Sequence, residues 1–189
     1  MSEKIIFLDR DGVINEYPGD GEYVLSKDTL RIIPGSDEAI RLLKDRGFKV
    51  FVISNQGCVS KGMISKEELI SMTDHMLSLL DNKQARIDGV YYCIHKSSEN
   101  CPYRKPNPDL LLKVLKEQQI DQNSLFPVPF FIGDSIKDVE AAKNAKLRSI
   151  LVLSGREKTD NNPSWTLRPD YVFKNLFSAV QFIVSLSNN

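Results

Sequence analysis

A chain of 189 residues, 41% hydrophobic and 26% charged, has the composition of a soluble globular protein and the length for one domain with a substantial core. Its 25 basic and 25 acidic residues cancel, so no global charge draws it to nucleic acid or to an anionic membrane surface. No apolar signal segment opens it, and no run reaches the ~18 residues of a membrane span. Three cysteines, an odd number, argue against a disulfide framework and for a reducing compartment, hence the cytoplasm.

In chain order, Ile5-Ile6-Phe7-Leu8 is an unbroken apolar run that predicts a strand buried on both faces of a parallel sheet. Asp9 and Asp11 follow, two residues apart and able to face one pocket, and Gly12 supplies a turn. On its own Asp-x-Asp-Gly is also an ordinary turn, and it lacks the later acids of a calcium loop. Residues 15–33, broken by Pro18, Gly19 and Gly21, predict a loop over the site, with Tyr23-Val24-Leu25 as a short strand. Ser36 is placed as the N-cap of a helix that turns Ile40, Leu42 and Leu43 inward, with Gly47 at its C-terminal end. Phe48 to Ile53 then forms a strand running into Ser54-Asn55-Gln56-Gly57, completing a βαβ unit with parallel neighbours.

Ser65 and Glu68 have the spacing of a capping box, and Leu69, Met72, Met76 and Leu79 make the core stripe of the helix that follows. His75 on that helix has no partner at ligand spacing. Gly89 to Tyr92 predicts a third strand, and residues 93–107 a loop. Pro108 opens a helix burying Leu111, Leu112 and Leu115. A fourth strand over 129–132 ends at Gly133-Asp134-Ser135-Ile136-Lys137-Asp138. A helix with Val139, Ala141 and Ala142 leads to a fifth strand over 149–153. After a loop over 154–169, Tyr171-Val172-Phe173 predicts an edge strand, and a closing helix runs from Asn175 to about Leu186. Strands alternating with helices indicate an α/β fold, Rossmann-like and doubly wound, with a mainly parallel sheet in a single domain (core 4–153, with the C-terminal strand and helix over 170–187).

Three of these strands end in polar clusters at one carboxyl edge, where open α/β sheets bind ligands: Asp9 and Asp11, Ser54 and Asn55, Asp134 and Asp138. The basic pair Arg104-Lys105 stands nearby. Each cluster alone could be a helix cap, but acids together suit a hard cation such as magnesium, and hydroxyl, amide and lysine beside them suit a phosphate. The four segments, in this order, resemble the motifs of the haloacid dehalogenase (HAD) superfamily of phosphatases from about residue 4 to residue 153. The resemblance implies bound Mg2+ and an aspartyl-phosphate intermediate. Asp9 would be the nucleophile, and Asp11 would protonate the leaving oxygen and then activate water. Asp9, the Asp11 carbonyl and Asp134 would hold magnesium with Asp138 in support, while Ser54 and Lys105 would hold phosphoryl oxygens.

Phe7 to Gly12, Ser54-Asn55-Gln56, Tyr91-Tyr92-Cys93-x-His95 and Arg104-Lys105-Pro106 resemble more closely the branch of D-glycero-D-manno-heptose 1,7-bisphosphate and histidinol-phosphate phosphatases. That branch lacks a large cap, and the stretch between Asp11 and Ser54 has no room for one. It implies a small phosphorylated sugar as substrate, chosen by loops 17–24, 57–63 and 93–107, with Asn55, Gln56 and Arg104 as binding residues. Histidinol phosphate, a nucleic-acid 3′-phosphate and a non-catalytic phospho-ligand domain are the other readings; neither a nucleic-acid nor a membrane partner, nor oligomerisation, is expected. These relatives carry a four-ligand zinc loop. Here Cys93, His95 and Cys101 would supply three ligands, and Tyr103 occupies the place of the fourth, so the loop either holds Zn2+ with three ligands or is a remnant. Cys58 is placed as structural.

Overall fold

The computed structural model describes residues 4–120 and 128–186. In chain order the elements are β1 (Lys4–Leu8), α1 (Ser36–Asp45), β2 (Phe48–Asn55), α2 (Lys66–Asp81), β3 (Gly89–Cys93), α3 (Asp109–Glu117), β4 (Phe130–Gly133), α4 (Ile136–Asn144), β5 (Arg148–Val152), β6 (Tyr171–Phe173) and α5 (Leu176–Leu186). The strands form one sheet in the order β3-β2-β1-β4-β5-β6, and every pairing between these six strands is parallel. Strand order reverses between β1 and β4, and the crevice at such a reversal is where open parallel sheets take ligands.

The apolar run of β1 is continuous because both faces are covered. Ile6 and Leu8 join a core with α1, α2 and α5, while Ile5 and Phe7 join one with α3 and α4. Helices on both faces make the fold doubly wound, as expected. Between Asp11 and Ser54 stand a loop, a short 3-10 turn at Lys27–Thr29, α1 and β2, leaving no cap domain.

Several local expectations shift. Residues 23–25 form no strand; Val24 is buried against the core while the base of the excursion closes by Glu16 N–H to the Arg31 carbonyl (2.8 Å) and Ile33 N–H to the Ile14 carbonyl (2.9 Å). Gly35, not Ser36, is the N-cap of α1, and Ser36 instead donates its hydroxyl to the Val13 carbonyl at 2.9 Å. The capping box of Ser65 and Glu68 forms as expected. On α2, Leu80 takes the core position expected of Leu79, because the 3.6-residue period carries the stripe 69-72-76 to 80. On α3, Leu110 and Val114 join Leu111 and Leu115 in the core, and Leu112 is only partly buried. β2 extends through Ser54 and Asn55, β4 through Gly133, and β5 begins at Arg148. Asn175 caps α5, its side chain accepting from Ser178 N–H at 3.0 Å.

Candidate active site

The reversal point delivers the chemistry. Asp9 N–H reaches the Ile132 carbonyl at 2.9 Å, so pairing of β1 with β4 continues one residue past the strand and holds Asp9 at the sheet edge. Its Oδ1 accepts the Arg10 N–H (2.7 Å) and meets the Lys105 ammonium at 2.9 Å. Lys105 also donates to the Ile53 carbonyl (3.0 Å) and pairs with Asp138 (2.6 Å), so one buried cation spans the ends of β1, β2 and α4. Asn55 fixes that lysine from below: its Nδ2 donates to the Lys105 carbonyl and its Oδ1 accepts the Lys105 N–H, both at 3.1 Å.

Asp134 follows β4 and is wedged between two glycines. A Cβ on Gly12, whose φ is +81°, or on Gly155 would come within 2.1 Å of Asp134 Oδ2. Arg156 N–H donates to that same oxygen at 2.7 Å. Asp138 stands behind, with Oδ2 accepting the Ser135 N–H (3.1 Å) and hydroxyl (2.6 Å). The ligand atoms of Asp9, Asp134 and Asp138 lie within 4.8 Å of one another, all three residues buried. One lysine does not neutralise three acids so close. Burial raises Asp9 to about 6, with the charges of Asp138 and Asp11 adding to it and Lys105 opposing. Burial likewise raises Asp134 to about 8, with Asp138 and Asp9 adding, opposed by the Arg156 N–H and Lys105. An all-oxygen donor set that is short of positive charge is what magnesium fits. Both oxygens of Asp138 are engaged, Oδ1 by Lys105 and Oδ2 by Ser135, whereas Asp9 and Asp134 are each held through one oxygen, so these two are the available carboxylates.

Asp11 lies beside this cluster. Arg10 grips its carboxylate from Nε (3.0 Å) and Nη2 (3.1 Å), and Asn15 (2.8 Å) and Gln56 (3.0 Å) donate to it as well. The cavity at this edge, about 230 Å³, is lined by Asp9, Asp11, Ser54, Asn55, Lys105, Asp134 and Asp138 inside, and by the 17–23 loop, Arg104, Lys137 and Arg156 outside.

Of the expected binding residues, Arg104 and Asn55 reach the cavity wall, whereas Gln56 is fully buried behind that wall and donates to Asp11 and to Ser54 Oγ (3.2 Å). None of residues 57–63 lines the cavity; Ser60 accepts the Lys96 N–H at 2.7 Å and props the 93–107 loop instead. Cys58 is buried with its thiol toward Gln56 Oε1 at 3.7 Å, the structural place expected of it. Lys137 and Arg156 at the rim carry no signal in the sequence: the first is an exposed residue between the acids of the Gly133 to Asp138 segment, and the second comes from a loop with no motif. Away from the cavity, Cys93, His95 and Cys101 also bring ligand atoms within 4.8 Å of one another. Tyr103 does not join them; it is exposed, with the Lys113 ammonium 5.7 Å from its ring centre.

An acid-tipped central strand, a lysine reaching it from a distant loop and a second acid across the reversal point are the arrangement that the HAD resemblance implies for a hydrolase. A family model described as HAD-hydrolase-like matches residues 102–179. The D-glycero-beta-D-manno-heptose-1,7-bisphosphate 7-phosphatase of Pasteurella multocida (strain Pm70) is 32% identical over 193 residues, covering 98% of this chain and 100% of that one. The enzyme of the same name from Rhodopseudomonas palustris is 40% identical over 146 residues, covering 74% and 77%. Among solved structures, D,D-heptose 1,7-bisphosphate phosphatase from B. bronchiseptica, complexed with magnesium and phosphate, matches with a TM-score of 0.85 at 26% identity, over 97% of this chain and 99% of that one. The chain belongs to the HAD-like hydrolases, in the family of the heptose-1,7-bisphosphate 7-phosphatases.

Proposed function

We propose that the protein is a magnesium-dependent phosphatase that removes the 7-phosphate of D-glycero-D-manno-heptose 1,7-bisphosphate. The observation that carries the phosphatase reading is the meeting of Asp9, Lys105 and Asp134 at one cavity edge. Oδ1 of Asp9 is held by Lys105 and the Arg10 N–H, which leaves Oδ2 to attack phosphorus. As the Asp9–phosphorus bond forms, the bond from phosphorus to the sugar oxygen breaks, and Asp11 gives that oxygen its proton. Water then attacks the aspartyl phosphate, Asp11 takes the water's proton, and phosphate leaves with Asp9 restored. Ser54 and Lys105 hold phosphoryl oxygens through both halves. Asp9, the Asp11 carbonyl and Asp134 would hold magnesium, which supplies charge neutralisation for the phosphoryl group.

The outer wall supports a bisphosphate. Beyond the inner acids Arg104, Lys137 and Arg156 outnumber Glu22 in the lining, with Arg156 paired to Asp20 at 3.2 Å, and this excess of cations suits a second phosphate better than the cationic amine of histidinol phosphate. The names of the relatives point to the same substrate. We also take Cys93, His95 and Cys101 as a zinc site with the fourth place left to water, since two thiolates and an imidazole suit that ion. We take the protein to work as a monomer in the cytoplasm, where three cysteines outside any disulfide are at home. No helix among the described residues is long and apolar enough to cross a membrane.

Phosphate release in the presence of magnesium tests this on both anomers of the heptose bisphosphate, histidinol phosphate, fructose 1,6-bisphosphate and a 3′-phosphorylated oligonucleotide. A heptose preference in kcat/KM of about 100-fold or more is expected. Equal rates across the panel overturn the substrate. The variant Asp9→Asn is expected to lose turnover while keeping its circular dichroism, and retained turnover overturns the covalent route.

A further inference from the structure

We propose that Arg10, Asn15 and Gln56 are positioning residues that together aim the Asp11 carboxylate at the leaving oxygen. This rests on the reading of Asp11 as proton donor and acceptor, and it assigns work to three buried side chains that do not line the cavity.

A carboxylate offers about four acceptor positions. Those of Asp11 meet Arg10 Nε and Asn15 Nδ2 on Oδ1, at 3.0 and 2.8 Å, and Arg10 Nη2 and Gln56 Nε2 on Oδ2, at 3.1 and 3.0 Å. Rotating the group would break several of these bonds at once, so the carboxylate keeps one orientation in the cavity wall, where its side chain is 17% accessible. Taking up the proton for the leaving oxygen displaces one of the four donors while the other three hold the group in place.

Each holder is itself held. Arg10, 1% accessible, lies with its guanidinium carbon 5.7 Å from the ring centre of Tyr92, whose hydroxyl is 3.0 Å from Thr73 Oγ1. The Arg10 carbonyl accepts Ile14 N–H (2.9 Å) and Asn15 N–H (3.1 Å), a turn that returns Asn15 beside Asp11. Gln56 is pinned by its own N–H to the Cys93 carbonyl (2.7 Å) and by the Cys58 thiol on Oε1. Its Nε2 forks between Asp11 and Ser54 Oγ, so one amide sets the spacing between the proton donor and a phosphate-holding hydroxyl. A buried guanidinium is costly, and stability alone would be served as well by apolar packing. Productive proton transfer, by contrast, needs geometry held within about 0.5 Å.

Leaving-group dependence reads this role directly. Nitrophenolate leaves without a proton, whereas a sugar alkoxide needs one. In Gln56→Met, similar in volume but lacking the donor, the ratio of kcat/KM for the heptose bisphosphate to that for p-nitrophenyl phosphate is expected to fall by about 10-fold or more. Asp11→Asn should lower the same ratio, and Gln56→Met added to it should change the ratio little further, because both act on one proton. Gln56→Asn, which withdraws the amide by one methylene, serves if the Met variant does not fold, with a smaller fall expected. Equal losses on both substrates, or a full additional loss in the Asp11→Asn background, overturn the proposal. If Asp11→Asn itself leaves the ratio unchanged, the acid role of Asp11 is overturned first, and the positioning role with it.

Discussion

The tightest constraint on any single residue falls at Gly155. Its close approach to Asp134 Oδ2 is shared with Gly12, but Gly12 belongs to a turn that needs φ of +81°, whereas for Gly155 the contact alone forbids a side chain. Gly155→Ala should leave the fold intact and push Asp134 aside, weakening magnesium by about 10-fold or more, as loss of a ligand's support does. Titration of activity against magnesium, with a melting curve as control, checks this, and unchanged magnesium dependence overturns it. Nothing around Gly155 in the sequence announces the role. Asp9, Asp11 and Asp134 are legible there because each ends an apolar strand, whereas Gly155 matters only through a neighbour 21 residues away in the chain.

Among the elements, the end of β2 does two jobs. Ser54 lines the cavity, and Asn55 clasps the Lys105 backbone through paired hydrogen bonds. Asn55→Ala removes both, each worth about 1 kcal/mol, and frees the segment that aims the lysine. A fall in kcat/KM of about 10-fold with a small loss in melting temperature is expected, and unaltered kinetics overturn that view. The end of β3 begins the Cys93, His95 and Cys101 cluster, which has three ligands and an outward-turned Tyr103. Zinc there should yield to EDTA dialysis, while Tyr103→Cys should retain it; elemental analysis before and after dialysis decides, and equal retention by both proteins overturns the three-ligand site.

For the molecule as a whole, the crowded acids make stability depend on pH and metal. Asp9 and Asp134 ionise near 3.8 when exposed, but burial, with neighbouring acids, raises them to about 6 and about 8 in the fold. Between those limits the folded state holds protons that the unfolded chain has released, so stability is fully present below the unfolded value and falls as pH rises through the folded ones. In EDTA the melting temperature should therefore drop from pH 6 to pH 8.5, and magnesium should restore more at the higher pH, since it replaces protons at the same oxygens. Thermal melts at the two pH values, with and without magnesium, measure this; a melting temperature in EDTA that stays level or rises overturns it.

The sequence by itself determined the architecture and the inner site, because apolar runs, turn residues and strand-end acids are local features. The period of the strands and helices yields a parallel doubly wound sheet, and the rule that open sheets bind at their carboxyl edge brings Asp9, Asp11, Ser54 and Asp134 together without coordinates. Lys105 is visible in the sequence only as half of a basic pair in a loop, and the family resemblance singles it out from Arg104, since a loop lysine carries no period. What only the tertiary structure decided are the contacts between segments distant in sequence. The resemblance implies Gln56 at the substrate, and the chain turns inward there and buries its side chain against Asp11. Residues 57–63 support a neighbouring loop instead of a ligand, while Arg156 and Lys137 arrive at the rim from segments that no local pattern marks. Periodicity reports which face of an element is covered; it holds no record of which side chains from separate elements meet around a cavity, and that meeting sets the acid's orientation and the charge of the outer wall.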